Sequence, residues 1–255
     1  MAWNPDQYLK FSEPRLRPAV DLLARIDAAA PKVVYDLGCG AGNVTRLLAE
    51  RWPAASITGV DDSAEMLAQA ARELPAATWV RQSVADWAPA APADLIFSNA
   101  ALHWLPRHEE LFPRLLGQLV SGGVLAVQMP RNFAAPSHAL IAETVGQGTW
   151  RSKLEHLLRP APVAAPNDYY AMLKPLATSI DIWETEYLQV LHGADPVKEW
   201  TKGTWLKQFL DELAEPERAE FEADYARRLR IAYPPLADGT TLFPFRRLFM
   251  VVRRA

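Results

Sequence analysis

Three glycines at alternate positions, set directly after a short apolar run that ends in an acid, constrain this chain more than any other feature. The stretch is Val33-Val34-Tyr35-Asp36-Leu37-Gly38-Cys39-Gly40-Ala41-Gly42-Asn43-Val44-Thr45. The apolar run reads as a strand, the glycines as a tight loop, and the pattern from Val44 onward as a helix. Glycine lets the backbone take positive φ and lets a ligand approach with no Cβ in the way. The helix start adds free N–H groups and the positive end of a dipole.

Two ligand classes suit such a loop, and a glycine turn with no ligand is the structural alternative. A dinucleotide fingerprint, Gly-x-Gly-x-x-Gly, needs its third glycine at position 43 if Gly38 is the first. Position 43 is Asn43, the third glycine arrives one residue early at Gly42, and Asp36 is a poor neighbour for a pyrophosphate. The pattern Asp-Leu-Gly-x-Gly-x-Gly instead resembles the first motif of class I S-adenosylmethionine-dependent methyltransferases. Their ligand carries two cationic groups, an amino group and a sulfonium, which an adjacent acid complements. The resemblance implies S-adenosylmethionine as cofactor and S-adenosylhomocysteine as product, with Asp36, Gly38, Cys39, Gly40 and Asn43 around it.

Beyond the loop, strand and helix alternate with short connections from residue 32 to 129, which predicts a parallel, doubly wound sheet. Val44, Leu47, Leu48 and Trp52 give a helix stopped by Pro53. The strand Ser56 to Asp61 ends in an acid 21 residues beyond Gly40, near where nucleotide-binding α/β units place a ribose-binding carboxylate. Asp61, with Asp62 beside it, is read in that role; the alternative, a helix N-cap, falls better to Ser63. Strand 78–82 leads into Ser83-Val84-Ala85-Asp86-Trp87. Class I methyltransferases often carry an Asp directly after this strand for the adenine amino group. Ser83 stands there instead, so Ser83, Val84 and Asp86 are all candidates, and Trp87 either walls the adenine or belongs to the core. Strand 94–99 ends at Asn99, and in open α/β sheets ligands bind outside the carboxyl ends of the strands. Asn99, read as a cofactor contact, and His103 and Trp104 on the substrate side therefore border the point where a methyl group would emerge.

Composition narrows the class. The 255 residues are half hydrophobic with net charge −3, enough for one large globular domain and no footprint for nucleic acid. Cys39 is the single cysteine, so no intramolecular disulfide or thiolate metal site is expected, and no metal is expected at all. Met1 to Asp6 are neither basic nor followed by an apolar core, and no stretch approaches the roughly 20 apolar residues that span a bilayer. A cytoplasmic protein without a membrane partner, a monomer or weak homo-oligomer, is the expectation.

The flanking segments carry a narrower resemblance. Trp3-Asn4-Pro5-x-x-Tyr8-x-x-Phe11 with Arg15-x-Arg17-Pro18, Asp195-Pro196-Val197-x-Glu199-Trp200-x-x-Gly203-Thr204, Tyr233-Pro234, Asp238-Gly239 and Phe243-Pro244-Phe245-Arg246-Arg247-Leu248-Phe249 resemble the trans-aconitate 2-methyltransferase family. So does Gly122-Gly123-Val124-Leu125-Ala126-Val127-Gln128-Met129-Pro130. This implies a Rossmann-like fold with a seven-stranded, mostly parallel sheet, helices on both faces and helical insertions forming a lid. The chain reads as one domain: lid helices at 1–30, a cofactor-binding core at 31–130, helical cap insertions around a late strand at 131–242, and a final strand at 243–255. Within 1–30, Leu16, Val20, Leu23 and Ile26 predict a helix over 14–29.

The implied reaction esterifies a carboxylate of a small polycarboxylate. A carboxylate is already ionised at pH 7, so no catalytic base is expected; alignment of the reacting atoms carries the rate. The polyanion calls for converging donors, and Tyr8, Arg15, His103, Trp104, Lys202 and Arg246 are the candidates. On an alternating strand Arg246 and Arg247 face opposite ways, so at most one addresses the substrate. Another small carboxylate, a carrier-bound acyl group, or a non-catalytic cofactor-binding module are the rival readings.

Overall fold

A computed structural model describes residues 12–255 of the chain, side chains from residue 16 onward. The elements that carry the argument are α1 (Ser12–Ala24), β1 (Val33–Leu37), α2 (Asn43–Arg51), β2 (Ser56–Asp61), α3 (Ala64–Glu73), β3 (Thr78–Arg81), β4 (Ala93–Asn99), α4 (His108–Gly117) and β5 (Leu119–Pro130). They are followed by α5 (Pro136–Gln147), α6 (Pro166–Leu173), β6 (Ala177–Leu191), α7 (Pro196–Lys202), α8 (Glu217–Ala232) and β7 (Thr241–Arg254). One seven-stranded sheet runs in the order β3-β2-β1-β4-β5-β7-β6. β3, β2, β1, β4 and β5 are parallel, and β7 enters antiparallel beside β5.

The reason these segments are strands is legible in their burial. β1 and β4 are nearly all buried, and Val34, Leu37, Leu95, Ile96 and Phe97 have no exposed surface. Continuous apolar runs of this kind belong to parallel strands covered on both faces. The first edge strand, β3, is short and largely wet (Thr78 and Arg81 exposed). The last, β6, alternates: Tyr187, Gln189 and Leu191 are buried while Leu188 and Val190 are exposed.

The chain divides into two compact units. The larger holds residues 15–130, 162–185 and 247–255, which include the parallel strands and the glycine loop. The other holds residues 131–161 and 186–246, with a core of its own around Trp150, Trp200, Phe209, Phe221, Tyr225 and Phe243. In that core Tyr225 donates to the Ser137 carbonyl at 2.6 Å and Tyr233 accepts from the Ser137 N–H at 3.1 Å.

Two boundaries differ from the sequence reading. α1 ends at Ala24, and its buried face is Pro18, Ala19 and Leu22, continued by Ile26 past the helix end, with Val20 46 % exposed. The apolar spacing of Leu16, Val20, Leu23 and Ile26 pointed to a neighbouring face. Small residues decided otherwise, because Ala19 permits the close approach that packing requires. The segment 195–233, part of the region read as helical cap insertions, is two main helices with a short turn at Lys207–Leu210 between them, since Pro216 cannot continue a helix.

Candidate active site

The glycine loop is built by the end of β2. Gly38 and Cys39 both donate to the Val60 carbonyl, at 2.8 and 3.1 Å, so the loop folds across the neighbouring strand. Gly38 has φ +73°, and a Cβ there would lie 2.2 Å from the Ala101 Cβ. Gly40 has φ +54°, and a Cβ there would meet nothing within 4 Å. The two glycines serve different ends: Gly38 admits the turn after β4, and Gly40 keeps its side of the loop open. Gly42, at φ 82°, caps α2 without a side chain, leaving the first N–H groups of the helix available.

Carboxylates hold this loop. Asp61 accepts from the Gly40 N–H through one oxygen and from the Ser63 N–H through the other, both at 2.9 Å. Ser63 caps α3, its hydroxyl accepting from Met66 at 3.3 Å. Asp36 is 1 % exposed and accepts from the Thr45 hydroxyl at 2.6 Å. Burial pushes the Asp36 carboxyl up to about 7; the Thr45 hydrogen bond pulls it down and the Asp61 charge pushes it further up. Cys39 is 8 % exposed, and burial, then the charges of Asp36 and Asp61, raise its thiol far above the ordinary range. It is a packed thiol and no nucleophile.

These residues fit a cationic ligand. Two carboxylates lie at the loop, one of them poised to ionise near neutrality, and the open side at Gly40 admits close backbone approach. A carboxylate has about four lone-pair directions, so Asp61 retains acceptor capacity beyond its two backbone bonds. Asp62 is exposed, and Asn43 is half-buried at the first turn of α2.

The turn after β3 is fastened from α4. Arg114 donates to the carbonyls of Val84 at 3.1 Å and Ala85 at 2.7 Å, and also to that of Trp87. The Ser83 hydroxyl accepts from the Ala85 N–H at 3.2 Å, and Asp86 is exposed. Trp87 is 2 % exposed and meets the Tyr35 ring edge-on at 5.0 Å, so it packs in the core. After β4, Asn99 has a buried side-chain oxygen with no hydrogen-bond partner among the described residues, and Ala100 takes φ 53°. A non-glycine residue in that region is strained and clusters with functional geometry. His103 is buried and Trp104 is 48 % exposed, their rings 4.7 Å apart.

Tyr8 and the Arg15 side chain lie outside the described residues. Lys202 and Arg246 fall in the second unit. Lys202 pairs with Glu222 at 2.7 Å, where Lys198 and Arg218 also converge, and Arg246 is exposed beside Glu186 at 3.4 Å. Arg247, by contrast, is 5 % exposed and donates to the Gln128 side-chain oxygen at 3.2 Å. Sequence reasoning did not single out Thr45, Arg114 or Gln128. Thr45 left a trace as a hydroxyl set among the apolar positions of α2, and Gln128 as the polar residue in the apolar strand motif 122–130.

This strand order, with a glycine loop after β1 and carboxylates at the ends of β1 and β2, defines the class I methyltransferase architecture. Residues 34–123 match the family model described as a methyltransferase domain. The fold resembles the YcgJ protein of Bacillus subtilis (TM-score 0.58, 13 % identity, 93 % of this chain and 98 % of that one). It also resembles a Haemonchus contortus phosphoethanolamine N-methyltransferase solved with S-adenosylmethionine (TM-score 0.55, 17 % identity, 94 % of this chain and 53 % of that one). Over nearly its full length the chain is 49 % identical to the trans-aconitate 2-methyltransferase of Azoarcus sp. strain BH72, covering 99 % of both. It is 46 % identical to that of Rhodopseudomonas palustris strain BisB18, covering 98 % of both. The chain belongs to the trans-aconitate 2-methyltransferase family.

Proposed function

We propose that the protein methylates a carboxylate of trans-aconitate, giving the monomethyl ester. The observation that carries the reading is the paired carboxylates at an open glycine loop, in a chain 49 % identical to a trans-aconitate 2-methyltransferase over 252 residues. When bound, S-adenosylmethionine supplies a methyl group on a cationic sulfur, which leaves as a neutral thioether once the carboxylate oxygen has taken the methyl, so no proton changes hands.

Every other task falls to this chain. Asp36 and the helix-start N–H groups bind opposite ends of the cofactor's amino acid moiety, the acid its ammonium and the amides its carboxylate. Asp61 holds the loop and accepts from the ribose. The Arg114-fastened turn 83–86 offers backbone and hydroxyl groups to the adenine. Asn99, His103 and Trp104 orient the acceptor at the carboxyl end of β4. No group needs to remove a proton from an acid already ionised at neutral pH. Positioning of the reacting atoms is worth up to roughly 7–11 kcal/mol.

The same reading places the protein in the cytoplasm as a monomer or weak homo-oligomer acting on a small molecule. A net charge of −3 supports the absence of a nucleic-acid partner, and among the described residues no helix is long and apolar enough to cross a membrane. The test is incubation with labelled S-adenosylmethionine and a panel of di- and tricarboxylic acids, scored for methyl esters. Labelled ester from trans-aconitate is expected. Cofactor binding without ester from any acid would instead leave a binding module.

A further inference from the structure

Across three neighbouring strands the sheet carries a largely buried polar row that borders the cofactor only at Asn99. Asn99 on β4 is level with Gln128 on β5, and Gln128 is level with Phe249 on β7. Side chains two apart on a strand share a face, so Arg247 joins Gln128 and Phe249 on one face while Arg246 points to the other. Asn99, Gln128, Arg247 and Phe249 all lie in the unit that holds the glycine loop. Phe249 is stacked on Trp183 at 4.9 Å and 8°, which makes an apolar wall beside the row.

The chemistry of the row is donor-rich. Gln128 has no exposed surface, and its oxygen accepts from Arg247 at 3.2 Å. That bond sets which way the carboxamide is turned and leaves the Gln128 Nε2 as a buried donor without a hydrogen-bond partner among the described residues. Leaving such a group unsatisfied is costly, so a buried donor of this kind points to a ligand. The Arg247 guanidinium is 5 % exposed and has the planar fork of N–H donors whose geometry matches a carboxylate. Its Gln128 neighbour is neutral. The row stands at the carboxyl ends of β4 and β5, with β7 about 10 Å from β4, two strand spacings. A molecule with several carboxylates bridges that distance.

We propose that Arg247 and Gln128 form the seat for a non-reacting carboxylate of the acceptor, with Asn99 between this seat and the methyl donor. The inference rests on the carboxyl-methylation reading above and moves its anion site from Lys202 and Arg246 to the sheet itself. The seat accounts for a preference for polycarboxylates: one carboxylate is clamped by Arg247 and Gln128 Nε2, which holds a second at the end of β4.

The experiment is calorimetric titration of trans-aconitate into the full-length protein saturated with S-adenosylhomocysteine, a complex in which no methyl transfer occurs. R247M should lose about 30-fold or more in trans-aconitate affinity, as removal of one partner of a buried charge pair does. Q128M should lose about tenfold, while R246M stays within about twofold of the parent. All three should bind S-adenosylhomocysteine normally, which also shows that they fold. If the parent protein neither binds nor methylates trans-aconitate, the functional reading fails. If the parent binds it and R247M and Q128M bind it equally well, the seat is overturned while that reading survives. Should R247M fail to fold, Q128M decides alone, and unchanged affinity in that variant overturns the proposal.

Discussion

The Thr45 hydroxyl donates to the Asp36 carboxylate at 2.6 Å, tying β1 to α2 across the glycine loop, with both side chains buried. The bond matters because Asp36 is a buried acid whose partner is neutral. Burial raises its carboxyl from 3.8 to about 7, and Thr45 is the group that stabilises its ionised form.

An acid with a folded-state value above its unfolded value holds its proton more tightly when folded. The stability Asp36 contributes is therefore fully present below pH 3.8 and is lost as pH rises to about 7. Thermal melts from pH 5 to 8 should show this decline in the parent protein and not in Asp36→Asn. Equal slopes in the two would exclude Asp36 as the source. Affinity for S-adenosylmethionine should rise over the same interval in the parent, because a cationic ligand favours the ionised acid.

The turnover number behaves differently. With both substrates saturating, kcat should be flat from about pH 6 to 8.5, since an acceptor acid of ordinary pKa needs no base. A tenfold fall per pH unit below 7 in folded protein would require a base and another acceptor.

Asp61→Ala removes the acceptor of the Gly40 and Ser63 N–H groups and, on the proposed reading, the ribose contact. S-Adenosylhomocysteine binding should weaken by about 1–3 kcal/mol. Calorimetry on the folded variant checks this, and unchanged affinity would take Asp61 out of the site.

Gly38→Ala and Gly40→Ala separate packing from backbone strain. A Cβ at Gly38 collides with Ala101, whereas at Gly40 it meets open space and only the φ of +54° opposes it. Gly40→Ala should cost about 1–2 kcal/mol of stability, and Gly38→Ala clearly more, read from urea midpoints. The reverse order would mean that the loop is not pinned against the turn after β4.

Much of this protein is local, and what is local was legible in the sequence. The glycine loop, the alternation of strand and helix from 32 to 129, the Ser63 cap and the acids closing β1 and β2 all follow from near neighbours in the chain. Backbone conformation and capping depend on residues a few positions apart, which is the range that a sequence displays directly. The late pair of strands was also implied by the family resemblance, as was the reaction; the antiparallel pairing of β7 with β5 came from the structure.

Tertiary structure decided which side chain faces what. Alternation said that Arg246 and Arg247 part company; only the pairing of β7 with β5 put Arg247 on the face of Gln128, 119 residues away in sequence. Trp87 was equally suited to a ligand wall and a core, and only the fold shows its ring buried edge-on against Tyr35. Lys202, a candidate for the substrate by its charge, is held by Glu222. Thr45 and Arg114 carried no sequence mark strong enough to select them, because their work is to bond partners 9 to 30 residues distant. The physical reason is the same in each case: the charge state, exposure and hydrogen bonding of a side chain are set by whatever the fold brings within a few ångströms, and that neighbourhood is written across distant segments rather than within one.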